Sequence, residues 1–464
     1  MSFPRYPKYK DSGVEWCGEI PATWTPTRLR FLLQDGYAGL KIGPFGSQLT
    51  SDMLEDEGAY KVYGQENIIA NDFVRGNRYI GGEKFRELSV YEINPGDLLI
   101  TMMGTSGRCD VAPSDLAHGI MDSHLLRMRV TAAALPDFVR LLIDEAAYVG
   151  TQIQLAGKGS IMHGLNSSIV KNLLLFVLPI NEQAQILAFL DRETAKIDEL
   201  VAEQRRLMEL LKAKRQAVIS HAVTQGLNPK APMKPSGIEW LGDVPAHWEV
   251  KRIKFVIESV KAGPFGSALT KDVYASAGYR VYGQEQVIPN DFSIGDYFIT
   301  QEKYDELHQY SVAPGDILIS CVGTFGKIAI VPDNIEPGII NPRLIRLRCS
   351  KAIKAEYLVE VMRSNVTFEQ FSSFTRGGTM DVINIGTLNA IFLALPPMAE
   401  QEDLLCFLQR EIGKFDTLTA EAQHAIALLQ ERRTALISAA VTGQIDVRGF
   451  AAQREPNQAE KAEA

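Results

Sequence analysis

Cysteine is scarce in this 464-residue chain: Cys17, Cys109, Cys321, Cys349 and Cys406 are odd in number and scattered. Their spacing matches no zinc site, and an unpaired set of this kind suits a reducing cytosol rather than a disulfide framework. Long apolar runs are missing too. None approaches the roughly 20 residues that span a bilayer, and "LLLFVLPI" at 173–180 reads instead as a buried strand. The opening "MSFPRYPKYK" lacks the apolar stretch of a secretory signal, so a cytoplasmic location is expected. Positive charge is in deficit, with a net charge of −8. That argues mildly against non-specific nucleic-acid binding, which runs on phosphate neutralisation, while leaving room for a local basic patch.

Enzyme signatures are absent as well. No G-x-x-x-x-G-K-[ST] phosphate loop occurs; "GTFGK" at 323–327 has Cys321 where the first glycine would stand. There is no H-E-x-x-H, no Cys/His cluster and no G-x-S-x-G elbow. "GKGS" at 157–160 lacks the strand–glycine–helix setting of a dinucleotide site, and no N-P-P-[FY] of an amino-methyltransferase is found. No metal site and no cofactor of its own are expected, and the weight moves from catalysis to binding.

What the chain does have is itself, twice. "GPFGSQLT" at 43–50 returns as "GPFGSALT" at 263–270, and "YKVYGQENI" at 60–68 as "YRVYGQEQV" at 279–287. "INPGDLLIT" (93–101) returns as "VAPGDILIS" (312–320), and "GTSG" (104–107) as "GTFG" (323–326). Such self-similarity marks a tandem duplication. Each copy opens on a related line, "SGVEWCGEIPATW" (12–24) or "SGIEWLGDVPAHW" (236–248), followed by a basic, strand-like "RLRFLL" or "RIKFVI". Short apolar runs bounded by Gly, Pro and Asp then predict a β-rich body, with helices over 136–155 and 354–371. The fold class is therefore mixed α/β, with 1–180 and 227–398 as two like domains.

After each body runs a long proline-free helical pattern, about Glu182–Val223 and Glu400–Val441, in which only Gly413 interrupts. These define a central spacer at 181–226 and a C-terminal helix at 399–446, with 447–464 a polar, disordered tail. Apolar heptad rows, such as Leu190, Ile197, Leu211 and Val218, predict a coiled coil. A parallel pair would set Glu193 against Glu411 and Lys214 against Arg432, so an antiparallel pair is expected, with Glu193 near Arg432 and Glu411 near Lys214. The plainer reading leaves each helix on its own domain, with these four side chains in water.

The repeated polar positions are the candidate contacts. Lys41 and Lys261 precede the GPFGS loops, whose Ser47 and Ser267 and glycine amides suit a phosphate, or simply make a tight turn. Gln65, Glu66 and Asn67, like Gln284, Glu285 and Gln286, follow a strand and are of the types that read adenine and cytosine edges, or are ordinary turn polarity. Arg127 and Arg129 alternate along a strand, as do Arg346 and Arg348, which suits phosphate contact or a solvated face. Arg108 and Lys327 occupy equivalent places, and two glycine-bearing loops carry Lys158 and His163, or Arg376 and Asp381.

The opening lines, the strand ending in "LP", the "EQ" pairs at 182–183 and 400–401, and "RQAVISHAVTQGL" with "RRTALISAAVTGQI" resemble the specificity subunit of type I restriction–modification enzymes. The resemblance implies a non-catalytic DNA-binding subunit. Its two target recognition domains would each read half of a bipartite duplex sequence. Its helices would space the halves and dock two methyltransferase subunits, and restriction subunits would join. S-adenosylmethionine, ATP and Mg would then belong to those partners. Shared segments in the two bodies lead one to expect partly palindromic half-sites. The rival reading is a tandem coiled-coil scaffold that binds protein or small-molecule partners without DNA specificity.

Overall fold

The computed structural model describes residues 3–14, 17–157, 165–321, 327–375 and 383–450. Contacts divide the chain into two units, Met1–Glu203 with His424–Ala464, and Gln204–Gln423. Two helices, Ile180–Gln225 and Met398–Val441, belong in part to each.

In the first unit, four antiparallel strands lie in the order Leu40–Ile42, Leu125–Met128, Leu98–Thr101, Cys109–Val111. Leu98–Thr101 is buried along its whole length. Leu98 and Ile100 enter the main core with Phe138, Leu142 and Phe189, while Leu99 enters a second core with Val62, Tyr63 and Ile120. Covered on both faces, this sheet carries a continuous apolar strand although its pairing is antiparallel. On its far side Tyr60–Tyr63 pairs antiparallel with Tyr79–Ile80 and parallel with Gly119–Met121.

The second unit repeats this. Its sheet order is Ile257–Ala262, Leu344–Cys349, Ile317–Ser320, Ile328–Ile330, and Tyr279–Tyr282 pairs with Phe298–Ile299 and Gly338–Ile340. The register is conserved between copies, Leu126 facing Ile42 and Ile100 as Ile345 faces Ala262 and Ile319.

Local expectations change in four places. "RLRFLL" is not a strand: Thr25–Arg28 is, and Leu29–Phe31 forms a 3₁₀ turn. Leu29 and Leu32, both buried, are three apart, the 3₁₀ period, and Leu33 is buried next to them. The expected single helices are each two. Ala146 and Ser364 take extended backbone between Pro136–Glu145 and Ala147–Gly157, and between Ala355–Arg363 and Asn365–Thr375. The second long helix runs unbroken through Gly413. Residues 447–450, expected in the disordered tail, are packed: Val447 is fully buried and the Phe450 ring lies 5.6 Å from that of Phe3.

The long helices pair antiparallel within each unit. In the first, Ile186, Phe189 and Leu190 share a core with Ile437, Ala440 and Val441; in the second, Ile219 and Val223 join Leu404 and Leu408. One tryptophan clamps each junction. Trp24 Nε1 donates to Glu182 Oε1 at 3.1 Å, at the start of one helix. A Cβ on Gly443, just past the end of the other, would come within 2.3 Å of Pro21 and 3.3 Å of Trp24. Trp248 likewise donates to Glu400 at 2.9 Å and lies against Gly226. The glutamines of the two EQ pairs, Gln183 and Gln401, are buried and tie the same corners by accepting from Leu135 and Lys354 amides at 2.9 Å.

Candidate nucleic-acid interface

Much of the repeated polarity is internal. Arg127 is 4% exposed. On a sheet covered on both faces it cannot reach solvent; it donates to the Glu92 carbonyl and lies 3.9 Å from Asp97. Desolvation by this burial lowers its pKa. Arg129 closes a bidentate pair with Asp97 at 2.6 and 2.9 Å, a hydrogen bond that raises its own pKa. Arg346, Arg348 and Asp316 repeat the arrangement, with Arg348 at 2.8 and 2.9 Å. The Asp of the twice-written PGD and the R-x-R of the strand are therefore one frame element. Arg127 and Arg346 are corrected from phosphate contacts to buried supports.

Asn67 and Gln286 are corrected in the same way. Asn67 is buried; its Oδ1 accepts from the Gly64 amide at 2.9 Å and its Nδ2 donates to the Asp72 and Arg75 carbonyls. Gln286 accepts from Gly283 at 2.7 Å and donates to Ile294. Each clamps the segment after its strand through backbone groups, Gln286 Nε2 also donating to Glu285 at 3.0 Å. The first glycine of each octapeptide is likewise structural. A Cβ on Gly43 or Gly263 would meet the Asp122 or Asn341 carbonyl oxygen at 1.8 Å.

Other candidates remain at the surface. Glu66 pairs with Arg78 at 2.5 Å, and Gln65 accepts from the Met103 amide at 3.4 Å. Gln284 donates to Ser320 at 2.5 Å, and Glu285 is exposed. Arg108 is held 3.3 Å from Asp144; its counterpart Lys327 is exposed. Lys261 reaches Gln309 at 3.2 Å. Ser47 is exposed in a 3₁₀ turn, and Ser267 occupies the equivalent backbone turn. Lys158, His163, Arg376 and Asp381 lie outside the described residues.

Lys41 sits over the Tyr91 ring at 5.1 Å and lines a cavity of about 720 Å³ together with Arg30, Phe45 and Lys171. Three cations against one carboxylate, Asp35, beside an exposed aromatic make this a net-basic concavity of the first unit. Phe45 is 62% exposed and Phe265 73%. These, with exposed Phe31 and Phe255, were passed over because an apolar residue in an apolar stretch reads as core; only their recurrence at equivalent loop positions marks them.

The expected seam pairs do not form. Glu193 binds Arg192 and Lys196, and Glu411 binds Arg410 and Lys414, all on their own helices. Arg432 and Lys214 are exposed. The cross-helix pairs are Arg433 with Asp198 at 3.3 Å and Arg215 with Asp416 at 3.0 Å. Among the described residues no group of three His, Cys, Asp or Glu is arranged to hold a metal, and no helix is long and apolar enough to cross a membrane.

A duplicated α/β unit, each copy joined to an antiparallel pair of long helices and carrying its own exposed side chains on a common frame, defines a tandem-duplicated α/β protein. Residues 245–427 match the type I restriction modification DNA specificity domain. The chain is 22% identical over 341 residues to the type I restriction enzyme MjaVIII specificity subunit of Methanocaldococcus jannaschii, covering 72% of this chain and 76% of that one. It is 22% identical over 298 residues to the EcoBI specificity subunit of Escherichia coli, covering 61% and 60%. A solved structure from work on assembly and conformational transition of the type I restriction–modification system shares the fold, with a TM-score of 0.68 at 16% identity over 91% of this chain and 99% of that one. Over most of its length the chain is thus similar in sequence and fold to specificity subunits of type I restriction–modification enzymes.

Proposed function

We propose that this chain is the DNA-reading subunit of a type I restriction–modification assembly, that each unit reads one half of a bipartite duplex target, and that it performs no chemistry itself. The observation that carries the reading is the repetition of one internal frame under two different sets of exposed side chains. The Asp97/Arg129 and Asp316/Arg348 pairs and the Asn67 and Gln286 clamps are the same in both copies. Exposed positions differ as well, Arg108 in one copy standing where Lys327 stands in the other, as expected of a reader whose scaffold is fixed and whose target is not.

The long helices are the proposed docking element for two methyltransferase subunits, with restriction subunits added to that core. Leu200, Leu207, Leu210, Leu418 and Leu428 are each 41–60% exposed along them. Large apolar side chains left open on a helix suit burial against partner helices. S-adenosylmethionine, ATP and Mg would be supplied through the partners.

The test is binding of the chain, purified with its co-encoded methyltransferase, to a library of random duplexes, together with sequencing of methylated adenines in the host genome. One bipartite motif, bound with steep salt dependence, is the expected result. Recovery of no motif would instead favour the protein-scaffold reading.

A further inference from the structure

The two units share a frame around one glycine but differ in what fills it. In the first, Gly64 has no room for a Cβ: it would meet Arg78 Nη2 at 1.9 Å, Glu66 Oε2 at 2.5 Å and Asp122 Oδ2 at 2.7 Å. Arg78 bridges those two carboxylates, at 2.5 Å to Glu66 and 3.1 Å to Asp122. The ion triad thus closes the space above the strand end. His124 stands next to it, 3.8 Å from Asp122.

In the second unit the glycine is Gly283, whose Cβ would meet Asn341 Nδ2 at 2.5 Å. Here Tyr297 stands where the first unit has Arg78, Asn341 where it has Asp122, and Arg343 where it has His124. Without the arginine no bridge forms, and a cleft of about 690 Å³ remains. One wall is Tyr274 and Tyr297, ring centroids 4.9 Å apart. Gln284, Glu285, Asn341 and Arg343 supply the polar edge. Asn341 Oδ1 accepts from the Arg343 amide at 2.9 Å, which fixes the turn that presents the exposed guanidinium. An amide, a carboxylate and a guanidinium are among the groups that distinguish base pairs by their edges, and an aromatic wall suits the flat or methylated part of a base.

We infer that this cleft is the base-discriminating site of the second unit, that the Arg78–Glu66–Asp122 triad with His124 is its counterpart in the first, and that the two half-sites diverge at the base pair read here. The ligand is the edge of a base pair in duplex DNA. The assignment rests on the proposed DNA-reading function. The shared clamps Asn67 and Gln286 hold both sites in the same place on the fold, so a difference in content becomes a difference in sequence read rather than in docking.

The experiment is adenine-methylation sequencing in cells carrying the complete modification complex, with reciprocal variants. Tyr297→Arg with Asn341→Asp gives the second unit the triad; Arg78→Tyr with Asp122→Asn opens the first. Each pair is expected to change one base pair of the motif, in opposite halves. Arg343→Ala, at an exposed position, is the variant least able to perturb folding. In the purified complex it should lower discrimination at one base pair roughly tenfold to a hundredfold, with melting temperature unchanged. A wild-type motif that persists unaltered in folded Arg343→Ala, or relaxes equally in both halves, overturns the assignment while leaving DNA reading intact. Absence of any motif with the wild-type chain overturns the DNA reading and this assignment with it.

Discussion

Arg215 Nη1 lies 3.0 Å from Asp416 Oδ1, joining the two long helices inside one unit, and Arg433 lies 3.3 Å from Asp198 in the other. The two contacts are a single contact written twice, since Asp198 and Asp416, like Arg215 and Arg433, are 218 positions apart (416 − 198 and 433 − 215). An antiparallel pair made from a duplicated helix must form its cross-links in such symmetric couples. Charge reversal tests this. Asp416→Arg should destabilise the pair by like-charge contact with Arg215, and adding Arg215→Asp should restore most of the loss. The coupling expected in a double-mutant cycle is about 0.2–1 kcal/mol, because these side chains are partly solvated. The same cycle on Glu193 and Arg432 should give no coupling, their carboxylate and guanidinium lying apart.

The helix junctions give a graded prediction. Gly443 and Gly226 both have left-handed backbone, φ +74° and +72°, so alanine costs about 1 kcal/mol at either. A Cβ at Gly443 also meets the Pro21 ring at 2.3 Å, while at Gly226 the nearest atom is the Trp248 ring edge at 3.1 Å. Gly443→Ala should therefore lower the melting temperature more than Gly226→Ala. Equal losses would mean that backbone strain alone sets the cost.

Buried and exposed cations should separate in a salt titration. Arg127→Met removes the donor to the Glu92 carbonyl and the more distant of Asp97's two cations, Arg129 remaining, and a buried acceptor left without its donor costs about 1–3 kcal/mol. It should depress folding stability while leaving the salt slope of DNA binding unaltered in whatever protein folds. Lys327→Ala, at an exposed site, should leave stability alone and reduce the slope by about one. A reversed pattern would place Arg127 against phosphate after all.

How far the residues foretold the fold follows from these particulars. Duplication, long helices and antiparallel pairing were legible because they need only sequence identity and heptad spacing, which survive any tertiary detail. The pairing partners were not. Heptad rows fix which face is apolar, but the ion pairs form beside that seam: Asp198, Asp416, Arg215 and Arg433 each stand one residue past a row position, at Ile197, Phe415, Lys214 and Arg432. Arg127 and Arg129 misled because an L-R-M-R strand looks half-solvated. Only the second layer, built from Tyr60–Tyr63 and its neighbours, turns that face inward. The Tyr274–Tyr297 cleft was invisible for the opposite reason: its aromatic wall, Asn341 and Arg343 lie at positions that do not match between the copies, beside the matching Gly283, Gln284 and Glu285.

The helices also predict a length dependence. If they set the distance between half-sites, deleting one heptad from each removes about 10 Å of rise per helix. DNA couples rise to rotation, so the shortened protein must read half-sites closer together or lose binding. Methylation sequencing of the variant should return a motif with a shorter non-specific spacer, or none. An unchanged spacer would dispose of the ruler.

The last prediction concerns the target. Shared segments in the two units suggested partly palindromic half-sites. Most of that sharing now lies inside the protein: Asp97 and Asp316, Arg127 and Arg346, Asn67 and Gln286, Gly43 and Gly263 all serve the frame. Frame residues touch no base, so they argue nothing about sequence. What is both shared and surface-placed is small: Gln65 and Gln284, Glu66 and Glu285, Lys41 and Lys261, Phe45 and Phe265. Even these differ in setting, since Glu66 is engaged by Arg78 while Glu285 borders an open cleft. Symmetry between the half-sites should thus be confined to base pairs within reach of those four positions, and should fail next to the Arg78 and Tyr297 sites. A methylation motif whose halves are fully inverted copies would show that Arg78 and Tyr297 do not read DNA. Halves with no base pair in common would remove the GPFGS phenylalanines and the YGQE carboxylates from base recognition and leave them to the backbone.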